Sequence, residues 1–196
     1  MLRVGITGNI GAGKSLVSQI FSVLNVPVYY ADVRAKWLME NSSDLQNQIV
    51  QLFGKESFSD GKLNRPFIAQ IVFSKPEELK KLNAIVHPAV RADYKLWCEE
   101  QASSAYTLHE AALIFESGLD SEMEKMIVVS CPEEERIRRL TERDGKPREE
   151  ILKIIHSQLI EEEKISRADF VVVNDGTAAL IPQVWEIHQK LIALIH

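Results

Sequence analysis

The stretch Leu2-Arg3-Val4-Gly5-Ile6-Thr7-Gly8-Asn9-Ile10-Gly11-Ala12-Gly13-Lys14-Ser15 decides how this chain reads. Its first six residues form an apolar run suited to a buried strand, and Leu16, Val17, Ile20, Phe21 and Leu24 beyond it lie on adjoining faces of a helix. Between them Gly8, Gly13, Lys14 and Ser15 keep the spacing G-x-x-x-x-G-K-[ST], which in a strand-loop-helix setting predicts a phosphate-binding loop. The glycines let the backbone curl until successive N–H groups converge, and the positive end of the following helix adds to their pull on an anion. Lys14 is placed to reach the β- and γ-phosphates and Ser15 to offer its hydroxyl to Mg²⁺. The expectation is a protein that binds ATP or GTP.

Composition narrows the setting. At 196 residues there is room for one main core with small insertions, not for two full catalytic domains. The 23 basic against 28 acidic residues leave a net charge of −5, which argues against a nonspecific electrostatic hold on nucleic acid. No apolar run approaches the roughly 18 residues of a membrane span, and no charged segment followed by an apolar core opens the chain. A cytoplasmic protein without a membrane partner is expected. Cys98 and Cys131 are too few and too distant for a disulfide framework or a metal cluster.

Further along, Val26-Pro27-Val28-Tyr29-Tyr30 reads as a second strand with Asp32 at its carboxyl edge. Helical patterns follow around 33–40, 44–53, 65–73 and 76–86, with a turn at Ser59-Asp60-Gly61, and a new helix is expected to start at Pro88 and run to about 102. Tyr106 to Glu110, Met126 to Ser130 and Ala168 to Val173 supply strands three to five, the fourth continuously apolar as in a sheet buried on both faces. Helices are expected from Pro132 to Arg143, over 148–158 and over 177–195. Strands alternating with helices imply a parallel sheet whose ligands gather at the carboxyl ends of its strands.

Asp32 ends strand two, where a carboxylate can accept or orient the proton of an attacking hydroxyl; Asp is equally a good cap for the helix that begins there. Arg139 and Arg143, spaced i, i+4, share a helix face beside a Gly-Pro break, either as clamps on a nucleotide or as a solvated face paired with Glu135 and Glu142. His87 alone reads as a structural histidine as readily as a ligand contact. Arg65, Arg91 and Lys95 are basic residues that fit an anionic substrate or ordinary surface charge. Glu110 stands where an acidic residue can support the water shell of a metal, and Glu161-Glu162-Glu163 reads as a solvated run.

Beyond the loop, the order Ala31-Asp32, Ile85-Val86-His87-Pro88-Ala89-Val90, Leu113-Ile114-Phe115-Glu116, Arg143-Asp144-Gly145, Gln158 with Lys164, and Ala168-Asp169 to Asn174 resembles the dephospho-CoA kinases over nearly the whole chain. The resemblance implies transfer of the γ-phosphoryl group of ATP to the ribose 3′-hydroxyl of dephospho-CoA, with Mg²⁺, as the last step of making CoA. It implies ATP contacts at Asn9, Gly11, Ala12, Gly13, Lys14, Ser15 and Leu16, with Asn174 and Gly176 in the loop that meets adenine. Asp32 matches the family's proposed base, Arg139 and Arg143 its lid arginines, and Arg65, His87 and Glu116 its acceptor region. The family usually writes Asp-Ala-Asp where this chain has Tyr30-Ala31-Asp32, and Pro-Leu-Leu-Phe-Glu where it has Ala112-Leu113-Ile114-Phe115-Glu116. Neither departure removes a reacting group.

The expected architecture is an α/β fold of the P-loop NTPase type, a five-stranded parallel sheet with helices on both faces, its strands ordered 2-3-1-4-5 by likeness to nucleotide kinases. Residues 1–31 with 88–138 and 157–196 are expected to form the nucleotide-binding core, 32–87 a helical CoA-binding insertion and 139–156 a small lid, in a monomer or weak homo-oligomer. Another small-molecule P-loop kinase is the nearest alternative. A GTP-binding switch is disfavoured because Asn174-Asp175-Gly176-Thr177 is not the Asn-Lys-x-Asp run that reads guanine.

Overall fold

The computed structural model describes residues 1–195, leaving aside the side chains of Phe73 and Ser74. Its main sheet has five parallel strands: β1 (Leu2–Thr7), β2 (Val28–Tyr30), β5 (Tyr106–Glu110), β6 (Lys125–Ser130) and β7 (Phe170–Val173), in the order β2-β5-β1-β6-β7. The expected order 2-3-1-4-5 is this one, with β1 at the centre and the glycine-rich loop at its carboxyl end. Helices α1 (Lys14–Val23) and α9 (Leu180–Ala193) cover one face, where Val17, Phe21, Val184, Ile187 and Leu191 pack on Val4, Ile6, Leu108, Ile127 and Val129. Each fully buried aliphatic or aromatic side chain there contributes about 1.5–3 kcal/mol.

On the alternate positions of the strands, Tyr29, His109, Gly5 and Met126 stand in register across four strands, and a Cβ on Gly5 would meet the Met126 sulfur at 2.5 Å. Helices α6 (Glu133–Asp144), α7 (Arg148–His156) and α8 (Glu161–Ser166) fill the connection from β6 to β7. With Met1–Tyr30 and the chain from Gln101 onward, these elements make one compact unit.

A second compact unit is Ala31–Glu100. It holds α2 (Ala31–Asn41), α3 (Ser43–Phe53), a hairpin of β3 (Phe58–Ser59) and β4 (Lys62–Leu63), α4 (Arg65–Ser74) and α5 (Pro76–Glu100). Ser42 and Asn64 cap α3 and α4 by accepting from the N–H groups of Leu45 and Phe67, as short polar side chains at N-caps do. The hairpin closes around Asp60 and Gly61, both at positive φ, where the sequence predicts a turn. Arg34 on α2 forks onto Asp93 on α5, its Nε donating to Oδ2 at 2.8 Å.

Two expected boundaries differ from the structure. Pro88 does not start a helix but lies inside α5, whose buried residues Leu82, Val86, Val90 and Tyr94 continue along one face on both sides of it. A proline in a helix interior removes one backbone hydrogen bond, and here side-chain packing holds the helix through that loss. Residues 88–100 therefore lie in the helical unit, not in the sheet-bearing one. The other difference is α8, over residues where the sequence predicts no helix; Glu162 and Glu163 on it are exposed, as a solvated run is.

Candidate active site

The loop after β1 is shaped by close approaches rather than by side chains. Gly13 caps α1 in the left-handed region at φ 91°, and no side chain fills its cap, so the positive end of α1 faces the loop without a capping side chain. A Cβ on Gly13 would sit 2.2 Å from Asn174 Nδ2, and one on Gly11 would press on the Arg136 backbone at 3.0 Å. The Ala12 N–H donates to the Asn9 carbonyl at 3.0 Å, which closes the curl. Lys14 Nζ donates to the Gly8 carbonyl at 3.0 Å, spanning the loop. Ser15, in the first turn of α1, is exposed and offers a hydroxyl, the hard oxygen donor that magnesium takes. Among the described residues no three His, Cys, Asp or Glu side chains gather into a metal cluster. A single hydroxyl of this kind fits a magnesium ion that takes its other oxygens from phosphates and water.

Two neighbouring segments grip the loop. From the end of β7, Asn174 Nδ2 donates to the Ala12 carbonyl at 2.7 Å, and Arg139 Nη2 donates to the Asn174 carbonyl at 3.1 Å while its Nε donates to Glu135 at 2.8 Å. From the α7–α8 linker, Gln158 Oε1 accepts from the Ile10 N–H at 2.8 Å and the Leu159 carbonyl accepts from Asn9 Nδ2 at 3.3 Å. The Ile10 side chain packs against Ile137, Leu140, Ile151 and Ile155 of α6 and α7.

The other candidate residues stand as follows. Asp32 is exposed as the second residue of α2, two residues past the end of β2; it is inside the helix rather than at its cap, where its charge complements the positive helix end. Arg143 is 65% exposed and forks onto its neighbour Asp144, with Nε to Oδ1 at 2.7 Å. Arg139 is mostly buried, so two arginines on one helix face have different surroundings. Arg65 pairs with Glu40 at 3.0 Å. His87 is half-buried in α5, and burial, with the Arg91 charge second, lowers its pKa. Leu16 is exposed in α1, and Gly176 follows Asn174 in a turn where Asp175 Oδ1 accepts from the N–H groups of Thr177 and Ala178. Glu116 Oε1 accepts from the Leu159 N–H at 3.0 Å and lies 2.8 Å from Lys164 Nζ.

Several of these roles are invisible in the sequence pattern. Gln158 and Lys164 match the family without any sign of what they do. Glu161, read as solvated, accepts from Ser130 Oγ at 3.1 Å and from the Cys131 N–H at 3.2 Å. All depend on contacts between residues about 30 to 150 positions apart.

A five-stranded parallel sheet whose central strand runs into this loop, with an uncapped helix behind it, defines a P-loop kinase-type nucleotide-binding fold. The family model for dephospho-CoA kinase matches residues 2–179. The dephospho-CoA kinase of Bacteroides fragilis strain YCH46 is 36% identical over 195 residues, covering 100% of this chain and 95% of that protein. A crystal structure from Thermus thermophilus superposes with a TM-score of 0.82 at 35% identity, covering 100% of this chain and 98% of the other. The dephospho-CoA kinase from Campylobacter jejuni gives 0.73 at 26% identity, covering 99% and 98%. The chain belongs to the dephospho-CoA kinase family, whose members use ATP to phosphorylate dephospho-CoA to CoA in the last step of CoA biosynthesis.

Proposed function

We propose that this chain moves the γ-phosphoryl group of ATP onto the ribose 3′-hydroxyl of dephospho-CoA by direct in-line transfer. The observation that carries this reading is the curled loop from Gly8 to Gly13, which leads into α1 at a Gly13 cap that no side chain fills, on a chain of this family. The loop amides and Lys14 hold the β- and γ-phosphates. Asp32, just past the end of β2, orients the 3′-hydroxyl and takes its proton as the new oxygen–phosphorus bond forms and the bond to the β,γ-bridging oxygen breaks, releasing ADP. A magnesium ion, held by the Ser15 hydroxyl, would neutralise charge on the phosphate oxygens.

Arg139 and Arg143 stabilise charge on the transferring group, and residues 139–156 act as a lid that keeps water from the phosphoryl group. Arg65 and His87 meet the acceptor. With its pKa lowered, His87 is neutral near pH 7 and offers one ring N–H and one acceptor nitrogen there. Asn174 and Gly176 contact adenine, Asn174 through what its clamp on Ala12 leaves free. On this reading the enzyme acts in the cytoplasm on a small molecule, without nucleic acid or membrane, as a monomer or weak homo-oligomer; no described helix is long and apolar enough to cross a membrane.

An acceptor screen tests the reading. Purified protein with MgATP should convert dephospho-CoA to CoA at least roughly a hundredfold faster than it phosphorylates AMP, thymidylate or shikimate. Comparable rates on one of those acceptors would reassign the substrate.

A further inference from the structure

Lys164 is 0% exposed, yet its ammonium has no hydrogen bond among the described residues; it lies 2.8 Å from Glu116 Oε1 without hydrogen-bond alignment. A fully buried lysine is costly even when paired, and such a pair is seldom returned as stability. What it can fix is a geometry. The same Glu116 oxygen accepts from the Leu159 N–H at 3.0 Å, and the 158–159 pair holds the Asn9 side chain and the Ile10 amide. One chain of contacts thus runs from the buried ammonium to the first half of the phosphate loop.

We infer that Lys164 is a positioning residue for phosphoryl transfer, holding the phosphate loop in its nucleotide-binding shape through Glu116 and the Gln158–Leu159 linker. Without the ammonium, the Glu116 carboxylate, 21% exposed, turns to water and releases Leu159. The linker then loosens, and with it the acceptor for the Ile10 N–H. Glu161 secures the far side of the linker by accepting from Ser130 and Cys131, so the pair governs the near side only. This assigns Glu116 to the linker rather than to the acceptor, and it rests on the reading that the loop holds ATP.

The test compares Lys164→Met, Glu116→Ala and the double variant in steady-state kinetics, and follows amide exchange in the nucleotide-free protein. Each single variant should raise KM for ATP about tenfold, the factor one hydrogen bond to a charged group carries, while KM for dephospho-CoA stays within about twofold. Because both act through one contact, the double variant should be no worse than either single one. The Ile10 amide should exchange about tenfold faster, with Val4 and Ile6 in β1 unchanged. Unchanged Ile10 exchange, an unchanged KM for ATP, or additive effects would overturn the inference. So would a rise in KM for dephospho-CoA alone, which would return Glu116 to the acceptor. If Glu116→Ala fails to fold around its orphaned cation, Lys164→Met and the double variant bury no unpaired charge, and agreement between them is judged by the same measures. Wild-type protein that binds no ATP would remove the functional reading, while Ile10 exchange would still decide the tether.

Discussion

Asn174, the first residue past β7, donates its side-chain N–H to the carbonyl of Ala12 at 2.7 Å, across 162 positions of sequence. The bond ties the edge of the sheet to the middle of the phosphate loop, and Arg139 holds Asn174 in turn. The side chain that fills this gap is also what excludes any residue but glycine at 13.

Asn174→Ala leaves the Ala12 carbonyl unsatisfied in a buried setting, a cost of about 1–3 kcal/mol. Nucleotide affinity, read by titration calorimetry with ATP, should fall roughly tenfold or more, while the dephospho-CoA KM changes little. Unaltered ATP affinity would mean that the clamp does not shape the loop.

Lys14→Met removes the ammonium that spans the loop from Gly8. Both ATP affinity and turnover should drop, turnover by roughly 10²-fold or more, because the charge acts on the β- and γ-phosphates in the transition state. A variant with normal kinetics would contradict the phosphate-cradle assignment.

Asp32→Asn keeps a polar side chain in the first turn of α2, so the fold and ATP binding should survive. Turnover should fall roughly 10²–10⁴-fold at saturating substrates, the usual contribution of a positioned proton acceptor. Near-wild-type turnover would take Asp32 out of the reaction.

His109 is 1% exposed on β5, with its ring 5.2 Å from that of Tyr29, and burial pushes its pKa down to about 4. An unfolded chain takes up that proton near pH 6.5, so between pH 6.5 and 4 the unfolded state binds more protons and stability falls as pH falls. The loss from this group amounts to about 3 kcal/mol by pH 4 and vanishes above pH 7. Burial lowers the pKa of His87 and His188 as well, which adds to the same slope. His109→Phe should flatten the dependence of Tm on pH across this window; an unchanged profile would show that another group sets it.

Local signals made the sheet readable. The apolar runs at β1, β5 and β6 and the loop glycines carry their meaning within a few residues, so the strands and the glycine-rich loop are legible in the sequence, while the strand order comes from likeness to nucleotide kinases. The unbroken α5 was hidden because Pro88 is a strong local break signal that packing of Val86 and Val90 overrides. The Glu116–Lys164 contact and the Glu161 anchor were hidden because charged residues near a sequence of glutamates look solvated until the fold buries them. Arg139 and Arg143 share a spacing and still differ, since only Arg139 has Asn174 within reach.

The most direct measurement is a crystal structure with a non-hydrolysable ATP analogue, Mg²⁺ and dephospho-CoA. The account predicts β- and γ-phosphate oxygens on the amides of residues 11–15 and the Asp32 carboxylate roughly 2.6–3.2 Å from the ribose 3′-oxygen. A triphosphate bound elsewhere, or an Asp32 carboxylate turned away from the 3′-oxygen, would contradict it.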